Sequence, residues 1–464
     1  MLITGVEIGL DQAADLRIVG GRIVDMALRL VRNIDEPCID GRGCVVLPGL
    51  HDHHMHLLAL AAARTSVRCG PPEINSADAL AKTLADAVKR QPAGVRGIAY
   101  HEGEGATIDR HWLDRVCGDT PVRIQHRSGR LWILNSRALA GLRIDGAWPE
   151  GAERSADGAL TGRFYHVDAW LREHLPVMPP LLQPVSVELA SYGITGVTDA
   201  GPENDSAVLD LLAAAQARGE LHQRVLLMGT ADLPFRDSAL LTTGPHKIYL
   251  REPELPDFDA LCAVIRATHA RGRNVAFHCV TRTELQVALT ALDVSGALSG
   301  DRIEHASIAD AAAIEQIAAL KLTVVTQPNF IYERGDQYLR QVESDDVSAL
   351  YRGASFLRAG VHLAAGTDAP FGDPDPWLAI RSAINRRTRA GDVLDASEVL
   401  TPEQALALFL GAADKPAQIR TLDVGAQADL CLLRGSWRDI LNDPTRERVR
   451  LTLRGGEIIW RAGA

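Results

Sequence analysis

The sequence predicts an α/β protein: a (β/α)8 TIM barrel with a small β-sandwich domain that the two chain ends form together. Two observations support this fold class. Through the middle of the chain, about eight short apolar, β-branched runs alternate with segments of helical periodicity. At both chain ends, short strand-like segments follow one another across glycine or aspartate turns. Eight strand–helix repeats close into a barrel whose functional residues gather at the carboxyl ends of the strands.

The two chain ends are predicted to share one domain. Residues 1–47 and 418–464 both consist of short strand-like segments. Neither end has enough strands to be stable alone, so we expect them to combine into one β-sandwich. This leaves residues 48–417 for the barrel. The segment from about 60 to 190 is longer than one ordinary strand–helix unit, which predicts an insertion there.

The barrel elements follow in order along the chain. Ser76 is a candidate cap for a helix inside the insertion, and Asp257 is a candidate cap for a barrel helix that Gly272 ends. The predicted barrel strands are the run that leads through 45–56, followed by 193–199, 223–228, 247–250, 274–278, 302–305, 322–326 and 361–368.

Composition and charge exclude several classes of function. The 464 residues carry a formal net charge of −10 and no lysine- and arginine-rich run, which argues against nucleic acid as a partner. No signal-peptide pattern and no apolar run of about 18 residues occur, so we expect a cytoplasmic protein without membrane association. Seven scattered cysteines without a C-x-x-C pair suit a reducing compartment. The expected partner is a small-molecule substrate, and a homo-oligomer is an open alternative.

The stretch at 48–56 carries the first chemical signal. A Pro-Gly bend ends an apolar run, and four histidines and one aspartate follow within six positions. Side chains two residues apart on a strand point to the same side, so His54 and His56 can reach one metal ion. By the same parity Asp52 lies on their side, as an anchor or a hydrogen-bond partner. The histidines that point away are His51 and His53.

Four more polar residues end predicted strands and complete a set of candidate ligands: Lys247, His278, His305 and Asp368. Taken singly, each has a structural explanation as a core histidine, a strand-end lysine or a turn-capping aspartate. A barrel, however, directs all of its strand ends to one mouth. We therefore expect these four side chains to meet the histidine pair of the first strand.

These residues, in this order, resemble the amidohydrolase superfamily, in the branch of metal-dependent hydrolases with an enlarged insertion in the barrel, amidohydrolase 3. The segments that carry the resemblance are 48–56, Lys247, His278, 302–305 and 366–370. The β-sandwich split between the chain ends is also similar to the family. The resemblance implies hydrolysis of a C–N amide-type bond, in an N-acyl, N-formyl or cyclic amide.

The resemblance also implies a centre with two divalent cations, expected to be Zn²⁺. His54, His56 and Asp368 would hold one ion, and His278 and His305 the other. Lys247, carboxylated by CO2, would bridge the two, and burial favours the neutral amine that this reaction needs. Asp368 would act as the general base, taking a proton from a metal-activated water and returning it to the leaving nitrogen.

Polar residues beyond the seventh predicted strand are candidates for substrate binding. Gln327 and Asn329 follow that strand closely, and we predict that one of them contacts the substrate. Arg334 follows in the same stretch and can meet an anionic group, with a salt bridge inside the loop as its structural alternative.

Three other functions stay open at this point. The first is a one-metal deaminase; such relatives place a glutamate three residues after the strand-five histidine, where this chain has Thr281, with Glu284 three residues further on. The second is a one-metal amide hydrolase with an unmodified Lys247. Hydrolysis of an ester or a lactone would use the same machinery as the expected amide hydrolysis, so the ligands alone do not separate these reactions. The third is a non-catalytic barrel, which the complete ligand set disfavours.

Overall fold

The computed structural model describes residues 1–10, 12–71, 74–101, 108–128, 130–144, 147–174 and 180–463. The chain divides into two compact units. One consists of Met1–Leu57 together with Leu182–Ala464, and the other of Leu58–Leu181.

The described part of the chain contains strands of two to nine residues. They are β1 (Leu2–Gly9), β2 (Gln12–Val19), β3 (Arg22–Ala27), β4 (Cys38–Asp40), β5 (Cys44–Pro48), β6 (Leu50–Met55), β7 (Val67–Arg68), β8 (Val95–Tyr100), β9 (Val122–His126), β10 (Leu131–Leu134), β11 (Ala152–Arg154), β12 (Leu160–Tyr165), β13 (Ile194–Asp199), β14 (Arg224–Gly229), β15 (Leu241–Tyr249), β16 (Val275–Cys279), β17 (Arg302–His305), β18 (Thr323–Thr326), β19 (His362–Ala365), β20 (Leu430–Arg434), β21 (Val449–Arg454) and β22 (Glu457–Arg461).

Helices separate many of these strands. They are α1 (Leu57–Thr65), α2 (Ala77–Arg90), α3 (Arg110–Cys117), α4 (Ser136–Ala140), α5 (Asp168–His174), α6 (Leu182–Ser191), α7 (Ser206–Ala217), α8 (Phe258–Ala270), α9 (Arg282–Ser295), α10 (Ala311–Ala319), α11 (Asn329–Gln341), α12 (Ser344–Val347), α13 (Gly353–Arg358), α14 (Pro376–Asn385), α15 (Pro402–Ala407) and α16 (Trp437–Asn442). No described helix has the length and apolar character needed to cross a bilayer.

Eight parallel strands form the barrel of the first unit, which confirms the predicted fold class. Their order is β6, then β13 to β19 in sequence, and each strand pairs with the next in parallel register. Asp257 caps α8 as predicted, since its carboxylate accepts a hydrogen bond from the Ala260 amide. One repeat departs from the strand–helix pattern, because residues 230–240 connect β14 to β15 without a helix.

The first and eighth strands meet at the carboxyl end of the barrel. There the Asp368 amide donates to the His54 carbonyl at 2.7 Å, and the His56 amide donates to the Ala369 carbonyl at 2.8 Å. Gly366 makes this approach possible, since a Cβ atom at that position would lie 2.3 Å from the His54 backbone nitrogen. The residues that follow β19 are therefore bound directly to the first strand.

Three predicted strands have different limits in the structure. The predicted opening run is two strands, because the backbone changes partner after Pro48: the Gly49 amide bonds to Asp429, and the Leu50 amide bonds to Gly193 in the barrel. Strand β15 begins six residues earlier than the predicted 247–250. Strand β19 ends at Ala365 and not at Asp368, since the chain bends there toward the first strand.

The two chain ends combine, as predicted, and the structure shows their strands in one sheet. Its order is β22, β21, β20, β5, β1, β2, β3, with β4 paired to β1, so strands from the start and the end of the chain are neighbours. At the junction β5 and β20 are antiparallel, with Leu47 opposite Cys431. Buried side chains from both ends fill the core beside this sheet: Ile3, Leu16, Val46, Leu430 and Leu453.

The second unit has its own sheet and core. The sheet order is β11, β12, β10, β9, β8, β7. Ser76 caps α2 as predicted, accepting a hydrogen bond from the Ala79 amide, and Leu80 and Leu84 are buried on one side of the helix.

Candidate active site

The six predicted metal ligands lie at or near the carboxyl ends of the barrel strands. His54, Lys247, His278 and His305 lie in four of the strands, and His56 and Asp368 follow two of them. Four imidazole rings form a continuous chain. The ring centroids of His278 and His305 are 4.4 Å apart, those of His305 and His54 4.7 Å, and those of His54 and His56 5.6 Å.

His54, His56 and Asp368 are placed to share one cation. One ligand atom from each lies within 4.8 Å of the others. The Oδ1 atom of Asp368 is 3.5 Å from Nε2 of His54 and 3.3 Å from Nε2 of His56. Two imidazoles and one carboxylate at this spacing are a common ligand set for Zn²⁺ and related ions.

The backbone is strained where two of these ligands leave their strands. His305 and Asp368 have φ angles of +72° and +56°, in the left-handed region that side chains other than glycine rarely adopt. Such conformations cost free energy and are found at functional sites more often than elsewhere. At His305 the consequence is visible: alternation along β17 would send neighbouring side chains to opposite sides, yet Glu304 and His305 both reach His54.

Lys247 is buried among these groups. Its side chain is 3% exposed, and within the described part of the chain its amine makes no hydrogen bond. The pKa of Lys247 is lowered to about 8, mainly by burial and also by the charge of Arg302, while Glu304 and Asp368 oppose the shift. Burial, and next the charge of Lys247, lower the pKa of His278 to about 3. The His278 ring is therefore neutral at pH 7.

The unsatisfied polar atoms of the mouth fit a positively charged ion. Among the described residues, Nε2 of His305 and Oδ1 of Asp368 are buried and make no hydrogen bond. Burial lowers the pKa values of His54 and His305 well below the usual range, so both rings have a lone pair to offer. Neutral imidazole and carboxylate are the donors that divalent transition metals prefer.

Asp52 fixes the first strand to the loop that carries Asp368. Its carboxylate accepts hydrogen bonds from the Thr367 hydroxyl at 2.5 Å, the Thr367 amide and the His54 amide. Burial raises the pKa of Asp52 to about 7, and these hydrogen bonds oppose the shift. Asp52 is thus an anchor, one of the two roles that strand parity allowed.

The comparison with known protein families decides what this barrel is. The model of the amidohydrolase family Amidohydro_3 matches residues 38–460, which is most of the chain. The chain belongs to the amidohydrolase family. This confirms the family and the class of enzyme that the sequence predicted.

Individual relatives agree with the family. The N-substituted formamide deformylase of Arthrobacter pascens is 26% identical to this amidohydrolase, over 90% of this chain and 89% of its own. Two solved structures, of uncharacterized metal-dependent hydrolases from Pyrococcus horikoshii and Pyrococcus furiosus, have TM-scores of 0.74 and 0.77. They are 19% and 20% identical, cover 94% of this chain, and are themselves covered to 97% and 99%.

Two buried residues of the amidohydrolase site escaped the sequence analysis as individuals. Glu304 hydrogen-bonds through Oε2 to Nδ1 of His54, and Arg302 donates from Nε to Oε1 of Glu304 at 2.8 Å. Both lie in the 302–305 segment that carried the family resemblance. The available signal was the unusual presence of two charged residues in a fully buried four-residue strand.

The three residues predicted to contact the substrate all make interactions with other protein groups. Gln327 is fully buried, and its Oε1 atom lies 2.7 Å from Nδ1 of His305. Asn329 is also buried and donates to the Thr367 carbonyl and to Glu333. Arg334 stacks on Phe330, 3.8 Å from its ring centroid, and donates to the Phe371 carbonyl. Substrate contact by any of the three stays a prediction.

Two histidines point away from the mouth, as strand parity predicted. His51 hydrogen-bonds through Nε2 to the Thr198 hydroxyl at 3.0 Å. The His53 ring lies beside it, with the two centroids 4.5 Å apart, and burial lowers the pKa values of both. Both rings therefore stay neutral within the barrel wall.

The position where deaminase relatives have a glutamate is structural in this amidohydrolase. Thr281 caps α9, and Glu284 closes the capping box. The Glu284 carboxylate accepts from the amides of Val280, Thr281 and Glu252. This carboxylate is committed to backbone groups, which argues against its use as a proton shuttle for deamination.

Two exposed aromatic rings lie beside the predicted ligands His278 and His56. Tyr249 is 51% exposed, and its ring centroid lies 4.2 Å from that of His278. Phe371 is 60% exposed and meets the His56 ring edge-on, with a centroid distance of 5.5 Å. Neither aromatic was singled out as a site residue in the sequence.

Proposed function

We propose that this amidohydrolase uses two divalent metal ions to hydrolyse a C–N amide-type bond in a small molecule. His54, His56 and Asp368 would hold one ion, and His278 and His305 the other, with Lys247 as a carbamate between them. The observation that carries the metal-dependent reaction is the cluster of His54, His56 and Asp368 ligand atoms within 4.8 Å of one another, at the carboxyl end of a parallel barrel. The adjacent rings of His278 and His305, with centroids 4.4 Å apart, support a second ion.

The environment of Lys247 supports its role as a modified ligand. A carbamate forms when a neutral amine attacks CO2, and a pKa of about 8 leaves roughly a tenth of the Lys247 amine neutral at pH 7. An ordinary lysine would be almost entirely protonated. The buried amine also makes no hydrogen bond to any described residue, so no such bond has to break before the amine reacts with CO2.

Asp368 is the proposed general base. Bound metal would supply a Lewis acid for the substrate carbonyl and lower the pKa of a water molecule at the site. Asp368 accepts the proton of that water at its carboxylate and delivers it to the departing nitrogen, so that the amine leaves neutral. The Asp52 anchor and the hydrogen bond from the Asp368 amide to His54 hold the carboxylate in place for both transfers.

For the substrate, we propose N-formyl and N-acyl amines before cyclic amides. The relative from Arthrobacter pascens is named for N-substituted formamides. The exposed rings of Tyr249 and Phe371 lie beside His278 and His56, and an apolar N-substituent would pack against them. Gln327, Asn329 and Arg334 stay as candidates for polar contacts near the carbonyl.

The test combines metal analysis with an activity screen. We expect about two zinc ions per chain in protein purified without chelator, and hydrolysis within a panel of N-formyl, N-acyl and cyclic amides, esters and lactones. Lys247→Ala should reduce the metal content, whereas Lys415→Ala, which removes an exposed lysine, should not. One ion per chain with a free Lys247 would contradict the two-metal centre. A metal-free protein that hydrolyses nothing in the panel would contradict the function itself.

A further inference from the structure

Two histidines of the proposed metal centre form hydrogen bonds, through Nδ1, with side chains of different charge. Nδ1 of His54 bonds to the carboxylate of Glu304, and Nδ1 of His305 bonds to the side-chain amide of Gln327 at 2.7 Å. All four side chains are at most 2% exposed, so water does not weaken either contact. The two ligands are otherwise the same imidazole group.

Arg302 keeps the Glu304 contact charged and directed. Its Nε donates to Oε1 of Glu304 at 2.8 Å and its Nη2 to Oε2 at 3.3 Å, while Nη2 also donates to the His53 carbonyl. A guanidinium is always protonated and binds an ionised carboxylate at two points. An ionised carboxylate only accepts hydrogen bonds, so His54 must carry its proton on Nδ1. Its Nε2 lone pair then points toward Asp368, 3.5 Å away.

Gln327 fixes the His305 ring in the same orientation but without a charge. Its Oε1 accepts from His305 Nδ1, and its Nε2 donates to the Val325 carbonyl. His305 therefore also offers Nε2, which is buried and makes no hydrogen bond among the described residues. A carboxylate behind an imidazole raises its basicity toward a metal more than a neutral amide does.

We propose that the two metal positions are unequal, and that Glu304 and Gln327 are the positioning residues that set the difference. The position of His54, His56 and Asp368 fills first, and the position of His278 and His305 fills at higher metal concentration. The inference rests on the proposed ligand assignment. The negative charge of Asp368 also raises the metal affinity of the first position. The contribution of Glu304 and Gln327 must therefore be measured by replacing these two residues.

The test is a titration of the metal-free full-length chain with Zn²⁺ in competition with a chromophoric chelator. For the unmodified chain we expect two equivalents with distinct affinities. Glu304→Gln keeps the size of the side chain but removes its charge, and should weaken the first equivalent about 10–100-fold. The second equivalent should change less than about threefold. Gln327→Glu should have the reciprocal effect and tighten the second equivalent by about tenfold.

Two further variants separate this effect from a loss of folding. Glu398→Gln is the matched control, because Glu398 is also a buried glutamate paired with an arginine, Arg352, but touches none of the proposed ligands. It should leave both affinities unchanged. If Glu304→Gln does not fold, Glu304→Asp carries the test. It keeps the charge beside Arg302 but is one carbon too short to reach His54, and should weaken the first equivalent similarly.

The possible results distinguish this inference from the proposed function. If folded Glu304 variants bind the first ion as tightly as the unmodified chain, or if the unmodified chain binds two ions with equal affinity, the inference is overturned while the hydrolase proposal stands. If the unmodified chain binds no zinc, the proposed function itself fails. A selective loss of the first equivalent on changing Glu304, with Glu398→Gln unaffected, supports the inference.

Discussion

Asp368 has two proposed roles, metal ligand and general base, in one buried carboxylate. Replacing it with asparagine keeps the shape and the backbone bond from its amide to the His54 carbonyl, but removes the negative charge. We expect Asp368→Asn to lower kcat on the substrate identified in the screen by about 10²-fold or more, since general base catalysis contributes on that scale. The melting temperature should change by only a few degrees. Activity within threefold of the unmodified chain would remove Asp368 from the chemistry.

The lowered pKa of Lys247 should make the proposed reaction of its amine with CO2 depend on pH. With a pKa of about 8, the neutral fraction of the amine rises about tenfold per pH unit below 8 and levels off above it. At a fixed concentration of dissolved CO2, we therefore expect carbamate formation in the metal-free chain to accelerate from pH 6 to pH 8 and then to flatten. The signal can be followed by ¹³C NMR with labelled CO2. Lys247→Met is the control, and a rate that keeps rising toward pH 10 would indicate an unperturbed lysine.

At the level of single residues, the sequence was enough to propose candidate ligands but not to identify the residues that hydrogen-bond to them. His54, His56, Lys247, His278, His305 and Asp368 stood out because each ended or followed an apolar run. Glu304 could not be assigned in the same way, because its partner His54 is 250 positions away and the two residues meet only when the barrel has folded. Gln327 was noticed as a polar strand-end residue, but the bond to His305 exists only in the folded barrel.

The junction between the first and eighth strands depends on one small residue. A methyl group at Gly366 would lie 2.3 Å from the His54 nitrogen and 2.5 Å from its Cβ, so the strands would have to separate. We expect Gly366→Ala to displace His54 from Asp368, weaken metal binding at least about tenfold, and destabilise the fold by roughly 1–3 kcal/mol. Metal titration and urea unfolding measure both effects.

A matched glycine tests the specificity of this prediction. At Gly353, an added Cβ would meet the Leu400 side chain at 3.6 Å, an ordinary packing distance. Gly353→Ala should therefore leave metal affinity unchanged and alter stability little. If Gly366→Ala bound metal as tightly as Gly353→Ala, the closure of the barrel would not be what holds His54 in place.

At the scale of secondary-structure elements, the sequence pattern predicted the positions of the barrel strands better than it predicted their ends. All eight barrel strands were expected where they occur, because each is an apolar run between turn residues. The early start of β15 was hidden by Gly244 and Pro245, which usually interrupt strands. The early end of β19 could not be predicted, since it follows from the bonds that Asp52 and His54 make to residues 367 and 368.

In the first unit as a whole, the barrel and the terminal sheet are joined through the first barrel strand. Gly49 bonds to Asp429 of the chain end, and the carboxylate of Asp429 pairs with Arg224 of β14 at 2.6 Å. The pairing of the chain ends was predictable because neither could form a stable sheet alone. The position at which the backbone changes its hydrogen-bonding partner, Gly49, could not be predicted. That prediction requires knowing which strand lies beside the Pro-Gly bend.

The proposed ligands lie between positions 54 and 368, so metal binding should stabilise much of this unit and not only the mouth. A ligand that binds only the folded state, present at 100 times its Kd, adds about 2.7 kcal/mol to the free energy of unfolding. We expect a strong chelator to lower the melting temperature by several degrees and added Zn²⁺ to restore it. The double variant His54→Ala, His56→Ala should lose most of this response, because only the weaker position remains. If the unmodified chain melts at the same temperature with chelator and with zinc, metal binding does not stabilise the folded state.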